Sequence, residues 1–493
     1  MPDNTVLLVH SSRFSRPRER ADGVPLGVLH LAAGLRARGL TVRIADLNVD
    51  VLTPTLLEGV VIAGISCTSY SIGTALKAAA AIRSVSPSAS IIWGGVHPSL
   101  DPVGTVGHPL VDAVLLGEGD FAFAEVSEHL INGGTLASAP HVFTRSKLGS
   151  SCTVNELDRL PSLPYDLLRL ERYNDRLLDV HSARGCPFTC GFCYNQHKDY
   201  RSKSPDRIYE DIMYGLRFFR PGILVFCEDM FFSKFSKVAA VCEMLLGRRI
   251  ELPWTANCRI EHILGFEPDF WQLLRDSRCS LLKVGVESGS PRMQALMGKA
   301  DITQDMVVRA VELCKQNGIG LKLNFIVGFP SEAIDDLLDT VKLISRCIEI
   351  DPCLRRIAIG VYDPYPNTSL WPLALRAGYD APRTLDEWGK WRGEIHRLRW
   401  LTNAHVRSIR NLLFLTMVFD EPYVNSIDGL WCRQPRVRTR IQRTLWRVVK
   451  HLIRQDFKLR SKFGAIRYTP ERHFYELIYA PIGLTSAPQP GMD

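Results

Sequence analysis

Leu178-Asp-Val-His181-Ser-Ala-Arg-Gly185-Cys186-Pro-Phe-Thr-Cys190-Gly-Phe-Cys193-Tyr194 opens as a short strand and breaks into three cysteines spaced Cx3CxxC. Three thiolates from one short loop can hold three corners of a metal–sulfur cube and leave the fourth iron open to a small ligand. Gly185 and Gly191 permit the sharp wrap that such a loop requires. The alternative is a zinc site of three cysteines with His181 or His197. Zinc knuckles usually take paired CxxC units, and the chain has no second pair.

Outward from this loop the sequence alternates strand and helix. Candidate strands are Leu178–His181, Gly222–Cys227, Trp254–Asn257, Leu281–Val286, Leu321–Val327 and Arg356–Tyr362, six in all, which predicts a curved, partly open barrel. The first 130 or so residues carry the same rhythm. Strands are expected at Thr5–His10, Thr41–Ala45, Val60–Ser66, Ser90–Gly94 and Asp112–Leu116, with helices at Pro25–Gly39 and Gly73–Arg83. That pattern predicts a parallel sheet with helices on both faces, and such sheets bind ligands at the carboxyl ends of their strands. Ser66-Cys-Thr68, Gly94-Gly95 and Gly117-Glu-Gly119 stand at those ends.

Composition sets the outer limits. The chain has 493 residues, 46% hydrophobic, 9% aromatic and 23% charged, which excludes a mainly disordered, collagen-like or coiled-coil protein. Its longest apolar run, Leu412–Phe419, is far short of the ~20 residues that span a bilayer. No basic segment leads into an apolar core after Met1-Pro-Asp-Asn-Thr, so a cytoplasmic location without a membrane partner is expected. Thirteen cysteines, an odd number, argue against a disulfide framework. The net charge is +8, and twelve Lys/Arg face a single acid between Trp431 and Arg467. Helical spacing of Arg440, Arg443, Arg447 and Arg454 makes that tract a solvated helix face, and no nucleic-acid partner is expected.

The cysteine loop resembles that of the radical S-adenosylmethionine (radical SAM) enzymes, and further motifs follow in the family's order. Phe226-Cys-Glu-Asp-Met-Phe231 resembles the end of the second barrel strand. Val284-Gly-Val-Glu287-Ser-Gly-Ser290 resembles the fourth-strand motif, and Asn324-Phe-Ile-Val-Gly328-Phe-Pro330 the fifth-strand adenine motif with Asn at its first position. Pro25-Leu-Gly27, Trp93-Gly-Gly-Val-His97-Pro98 and Leu116-Gly-Glu-Gly-Asp120 resemble the cobalamin-binding domain of the B12-dependent branch. The Asp-x-His-x-x-Gly motif that supplies an axial histidine in many B12 proteins is absent, so cobalamin would bind without one, and His10 and His97 are expected to be satisfied or solvent-facing.

The resemblance implies an α/β protein. It would have a Rossmann-like cobalamin-binding domain at 1–140, a linker at 141–174, a partial (β/α)6 radical SAM barrel at 175–378 and a mainly helical region at 379–493. Cys186, Cys190 and Cys193 would ligate a [4Fe–4S] cluster. Phe192 and Tyr194 would line the SAM pocket or pack beside the cluster, Glu287 would hold the ribose, and Ile326 and Val327 would contact adenine or belong to the core. Ser66, Thr68, Gly94, Gly95 and Gly117 would face cobalamin. Tyr362, Asp363 and Tyr365 would face substrate or close the barrel. An electron from the reduced cluster would cleave SAM, the resulting radical would activate a substrate carbon, and methylcobalamin would supply the methyl group. The expected activity is therefore methyl transfer to an unactivated carbon, or phosphorus, of a small biosynthetic intermediate, as in antibiotic production. Cyclisation, ring contraction or oxidation with the same cofactors is the alternative. A flavodoxin or ferredoxin would be the electron donor. The basic tract would suit an anionic substrate, and Trp388, Trp391, Trp400 and Trp431 a heteroaromatic one, although both features also serve helix packing.

Overall fold

The computed structural model describes residues 4–195, 197–351, 356–393 and 395–417. Five short apolar runs build the first sheet: β1 (Thr5–His10), β2 (Val42–Asp46), β3 (Val60–Ser66), β4 (Ser90–Gly94) and β5 (Ala113–Leu115). They lie parallel in the order β2-β1-β3-β4-β5, and β6 (Val142–Phe143) adds an antiparallel edge. Strand order reverses at β1, so a crevice opens beyond the ends of β1 and β3. Helices cover both faces, which is why Val6, Leu7, Leu8 and Val9 are all fully buried.

The stretch expected to be a linker differs from that expectation. It holds no helix longer than three residues, yet it supplies β6 and is stitched to the first sheet. The Cys152 N–H donates to the Leu116 carbonyl, and the Glu118 N–H donates to the Cys152 carbonyl, both at 2.9 Å.

The second sheet is built from β7 (Leu177–Val180), β10 (Ile223–Phe226), β11 (Trp254–Cys258), β12 (Cys279–Glu287), β13 (Gly320–Val327) and β14 (Arg356–Val361). All six are parallel, in the order β14-β13-β12-β11-β10-β7, and β7 and β14 stay unpaired with each other. The sheet is therefore an open barrel. A two-stranded ribbon, β8 (Ala183–Arg184) with β9 (Arg201–Ser202), brackets the cysteine loop.

Segments after the barrel clasp the two units together. The helix Leu385–Lys390 packs on the first-sheet helix Ile72–Val85 so closely that a Cβ on Gly73 would lie 2.3 Å from the Gly389 carbonyl oxygen. Trp388 and Trp391 are buried in the apolar core beside that helix. The helix Asn403–Met417 places Ile409 and Leu412 in the barrel core. Trp431 and the basic tract lie outside the described residues. Among the described residues no helix is long and apolar enough to cross a membrane.

Candidate functional site

The cysteine loop is pinned at both ends. The Cys186 N–H donates to the His197 carbonyl at 3.0 Å. Gly185 has φ +83°, and a Cβ there would lie 2.1 Å from the Asp199 carbonyl oxygen, so only glycine closes this loop. Gly191 donates to the Met297 carbonyl at 3.0 Å and accepts from the Leu370 N–H at 2.9 Å. Cys186, Cys190 and Cys193 are all free and partly exposed. Burial raises the Cys186 and Cys193 thiols above their ordinary value. The Arg259 guanidinium stacks 3.8 Å over Phe188 and approaches Cys190 Sγ at 4.0 Å, with Glu261 holding its Nε at 2.9 Å. A cation beside one of the three thiols fits a net-negative metal–sulfur centre. Arg259 follows directly after β11 and lies 69 residues from Cys190, so no local spacing in the sequence pairs the two. Among the described residues no three His, Cys, Asp or Glu side chains, the cysteines of this loop included, are gathered into a group that could hold a metal ion. His181 is committed elsewhere, its Nδ1 lying 3.4 Å from His30 Nε2.

Glu287 ends β12 in the left-handed region, at φ +70°, which is rare for a residue with a side chain. Its buried carboxylate accepts from Lys299 Nζ at 3.1 Å, while the same ammonium reaches the Gly285 carbonyl at 2.6 Å. A Cβ on Gly285 would lie 2.1 Å from Glu287 Oε1, so the glycine makes room for the folded-back acid. Of the paired expectations on β13, Ile326 stands on the lumen side and Val327 does not. Val327 is fully buried in the outer core, and its carbonyl already accepts from the Tyr362 N–H at 2.8 Å. Phe192 lies 6.0 Å from Phe329 of the Gly328-Phe-Pro330 turn, whereas Tyr194 is 45% exposed and meets Tyr365 at 6.2 Å.

Across from these groups, a cavity of about 450 Å³ opens at the ends of β3, β4 and β5. Ser66, Gly94, Gly95 and Gly117 line it, together with Gly64 and Gly119. Positive φ is required at Gly95 (+95°) and Gly117 (+79°), and a Cβ on Gly64 would lie 2.6 Å from Phe123 Cζ. The missing side chains make the hollow. Thr68 is not in its wall. It caps the turn that follows β3, its N–H donating to Ser71 Oγ at 2.9 Å. His97 is buried with Nδ1 at 2.9 Å from Ser69 Oγ and its ring against Trp388. It is held as a core histidine.

The two units meet through named polar contacts. Tyr70 donates to Asp363, so Asp363 ties the barrel to the first sheet. Tyr365 packs at 6.4 Å from Trp391, and Tyr362 stacks on Phe329 at 4.6 Å. Arg184 donates to both oxygens of Asp120, and Arg201 to both oxygens of Glu118. These pairings join residues 64 and 83 positions apart, which no local pattern announces.

Two family models match this layout: a B12 binding domain over residues 20–127 and the Radical SAM superfamily over residues 180–344, together more than half of the chain. The chain belongs to the B12-binding radical SAM enzymes. It is 27% identical over 376 residues to an uncharacterized methyltransferase of Pyrococcus horikoshii, covering 72% of this chain and 79% of the relative. It is 26% identical over 396 residues to the anaerobic magnesium-protoporphyrin IX monomethyl ester cyclase of Rubrivivax gelatinosus, covering 74% of this chain and 69% of the relative. Its fold is similar to that of OxsB, a cobalamin-dependent S-adenosylmethionine radical enzyme, with a TM-score of 0.69 at 16% identity over 98% of this chain and 76% of that one. In this B12-binding radical SAM enzyme the free thiols and the glycine-lined cavity therefore sit in the domains that take the iron–sulfur cluster with SAM, and cobalamin, respectively.

Proposed function

We propose that the chain is a cobalamin-dependent radical SAM methyltransferase acting on an unactivated carbon, or a phosphorus, of a small biosynthetic intermediate, with natural-product or antibiotic biosynthesis as its setting. The observation that carries the reading is the pairing of three free thiols on one glycine-closed loop with a glycine-lined cavity on the facing sheet. Bound there, the cofactors supply one-electron cleavage of SAM and carriage of a methyl group. The chain supplies the rest.

Cys186, Cys190 and Cys193 present thiolates for a [4Fe–4S] cluster, and the cationic Arg259 offsets their charge. Glu287, held by Lys299, offers its second oxygen to the ribose of SAM. Ile326 and Phe192 give apolar surface for the adenine side, and Ser66, Gly94, Gly95 and Gly117 line the cobalamin side. A substrate held between the two units is shut off from water by the packing of Trp391, Tyr365 and Tyr70. The reductant comes from outside, from a flavodoxin or ferredoxin type of donor.

Anaerobically reconstituted protein, given SAM, reductant and cobalamin, tests the reading. A substrate gaining one methyl group, with S-adenosylhomocysteine and 5′-deoxyadenosine both formed, supports it. SAM cleavage that survives Cys186→Ala overturns the cluster assignment. The resemblance to a cyclase favours one second reading, ring formation with the same cofactors, and a product without added methyl mass would select it.

A further inference from the structure

Two arginines stand at the feet of the cysteine loop. Arg184 ends β8 two residues before Cys186, Arg201 opens β9, and the two are paired in the ribbon. Both reach across to one turn of the first sheet, Gly117-Glu118-Gly119-Asp120, whose four residues all line the cavity. Arg184 Nη1 and Nη2 donate to Asp120 Oδ2 and Oδ1 at 2.7 Å each. Arg201 Nη1 and Nη2 donate to Glu118 Oε2 and Oε1 at 2.8 Å each. Arg184 also approaches Glu118 at 3.4 Å, and the Val154 N–H donates to Glu118 at 2.7 Å. All four side chains are at most 10% exposed.

Behind this clamp stand two imidazoles. His30, on the cavity-lining helix Leu26–Ala37, has Nδ1 3.5 Å from Asp120 and Nε2 3.4 Å from His181 Nδ1. Burial pushes His30 down to about 3, and burial with Arg184 pushes His181 well below its ordinary value. Burial alone would raise Asp120, but Arg184 overcomes it and keeps the carboxyl below the usual range.

Stability alone is a poor account of such a device. Buried ion pairs often contribute no more to folding than apolar residues of the same volume, because desolvation offsets their attraction. What two fork-to-fork contacts add is geometry: each fixes a distance and an orientation. Two of them, one at each end of a loop, leave that loop no freedom to tilt. We propose that Arg184 and Arg201 are positioning residues that lock the cysteine loop to the wall of the cobalamin cavity through Asp120 and Glu118, so that filling one site tightens the other. This rests on the functional reading above and goes beyond it by making the two cofactor sites energetically coupled.

Linkage makes the proposal measurable. Hydroxocobalamin is titrated into the full-length chain, once with the cluster reconstituted and once after iron is removed with a chelator. The wild type should bind it more tightly in the cluster-loaded state, by about 5-fold or more, as typical couplings do. Arg201→Lys keeps the charge, loses the two-point contact and leaves the cavity wall untouched, and it should bring that ratio close to one. Asp120→Asn should do the same even if its absolute affinities fall. Hydrogen exchange across residues 186–200 is the second readout: cobalamin should slow it in the wild type and not in Arg201→Lys. A wild-type ratio of one, or a ratio undiminished in both variants, overturns the coupling alone. A wild type that binds no cobalamin in either state overturns the functional reading, and the coupling with it.

Discussion

The two sheets are built from similar-looking apolar strands and bury them differently. In the first sheet both faces are covered, so β1 runs Val6-Leu7-Leu8-Val9 with every side chain fully buried. In the barrel only the outer face is covered. Along β13, Leu321, Leu323, Phe325 and Val327 are buried, while Lys322, Asn324 and Ile326 alternate with them on the lumen side. The lumen also holds Asp179 and Lys283 on β7 and β12. Burial raises Asp179 to about 6, with Lys283 pulling it back, and lowers Lys283 below its ordinary value. A sheet covered on both faces is thus a support whose chemistry sits at its strand ends. An open barrel carries polar chemistry along its inner wall as well.

Breaking a polar contact at the barrel rim should have the largest effect. Lys299→Ala leaves the Glu287 carboxylate buried without its cation, and a cost of about 3–5 kcal/mol in urea unfolding is expected. Adding Glu287→Gln should recover most of it, and a double variant as unstable as the single one would show that the pairing is not the cause. Next comes an apolar deletion in the first sheet. Leu8→Ala removes a side chain packed on all sides, and about 2–5 kcal/mol should be lost.

A pair of glycines sharpens the contrast. A methyl on Gly64 would meet Phe123 at 2.6 Å and Leu8 at 2.9 Å, so Gly64→Ala should cost about 1–3 kcal/mol by overpacking. On Gly360, in β14, the nearest atom would be the Phe325 carbonyl oxygen at 4.0 Å. Gly360→Ala should therefore change stability by no more than about 0.5 kcal/mol. Equal costs at the two sites would mean that the barrel's inner wall is packed like the first sheet.

Much of this is legible in the sequence. Val60–Ser66 and Ser90–Gly94 were placed to the residue, because a run of apolar residues between turn signals has few other uses. The six barrel strands fell within about two residues of their observed ends. The ribbon β8–β9 and the edge β6 were missed, since two-residue strands carry no period to read. For Val327, expected to contact adenine or to belong to the core, the second holds: Leu321, Leu323 and Phe325 share its parity, and that alternation assigns it to the core. Thr68 beside Ser66 has the opposite history, because its turn-capping role depends on Ser71, which the ligand reading left out. The clamp on the cysteine loop had no signal at all. Arg184 and Asp120 were both in view, and only the fold brings them together.

The smallest effect is a pH dependence at the turn that follows β13. Glu332 is buried, its Oε2 accepts from the Gly328 N–H at 2.5 Å, and its Oε1 has no partner. Burial lifts the carboxyl from 4.5 to about 8. In the unfolded chain the proton leaves near 4.5, whereas the folded chain keeps it to about 8. Between those values the unfolded state binds fewer protons, so stability falls as pH rises and levels off above the upper one. Glu332→Gln keeps an acceptor for Gly328 and does not ionise. The variant's melting temperature should therefore gain on the wild type steadily from pH 4.5 to about 8 and then hold its lead. A difference that stays flat across that range would mean the carboxyl reaches water. The matching turn after β3 in the first sheet is closed by the hydroxyls of Thr68 and Ser71, which do not titrate, so no such slope is expected from it.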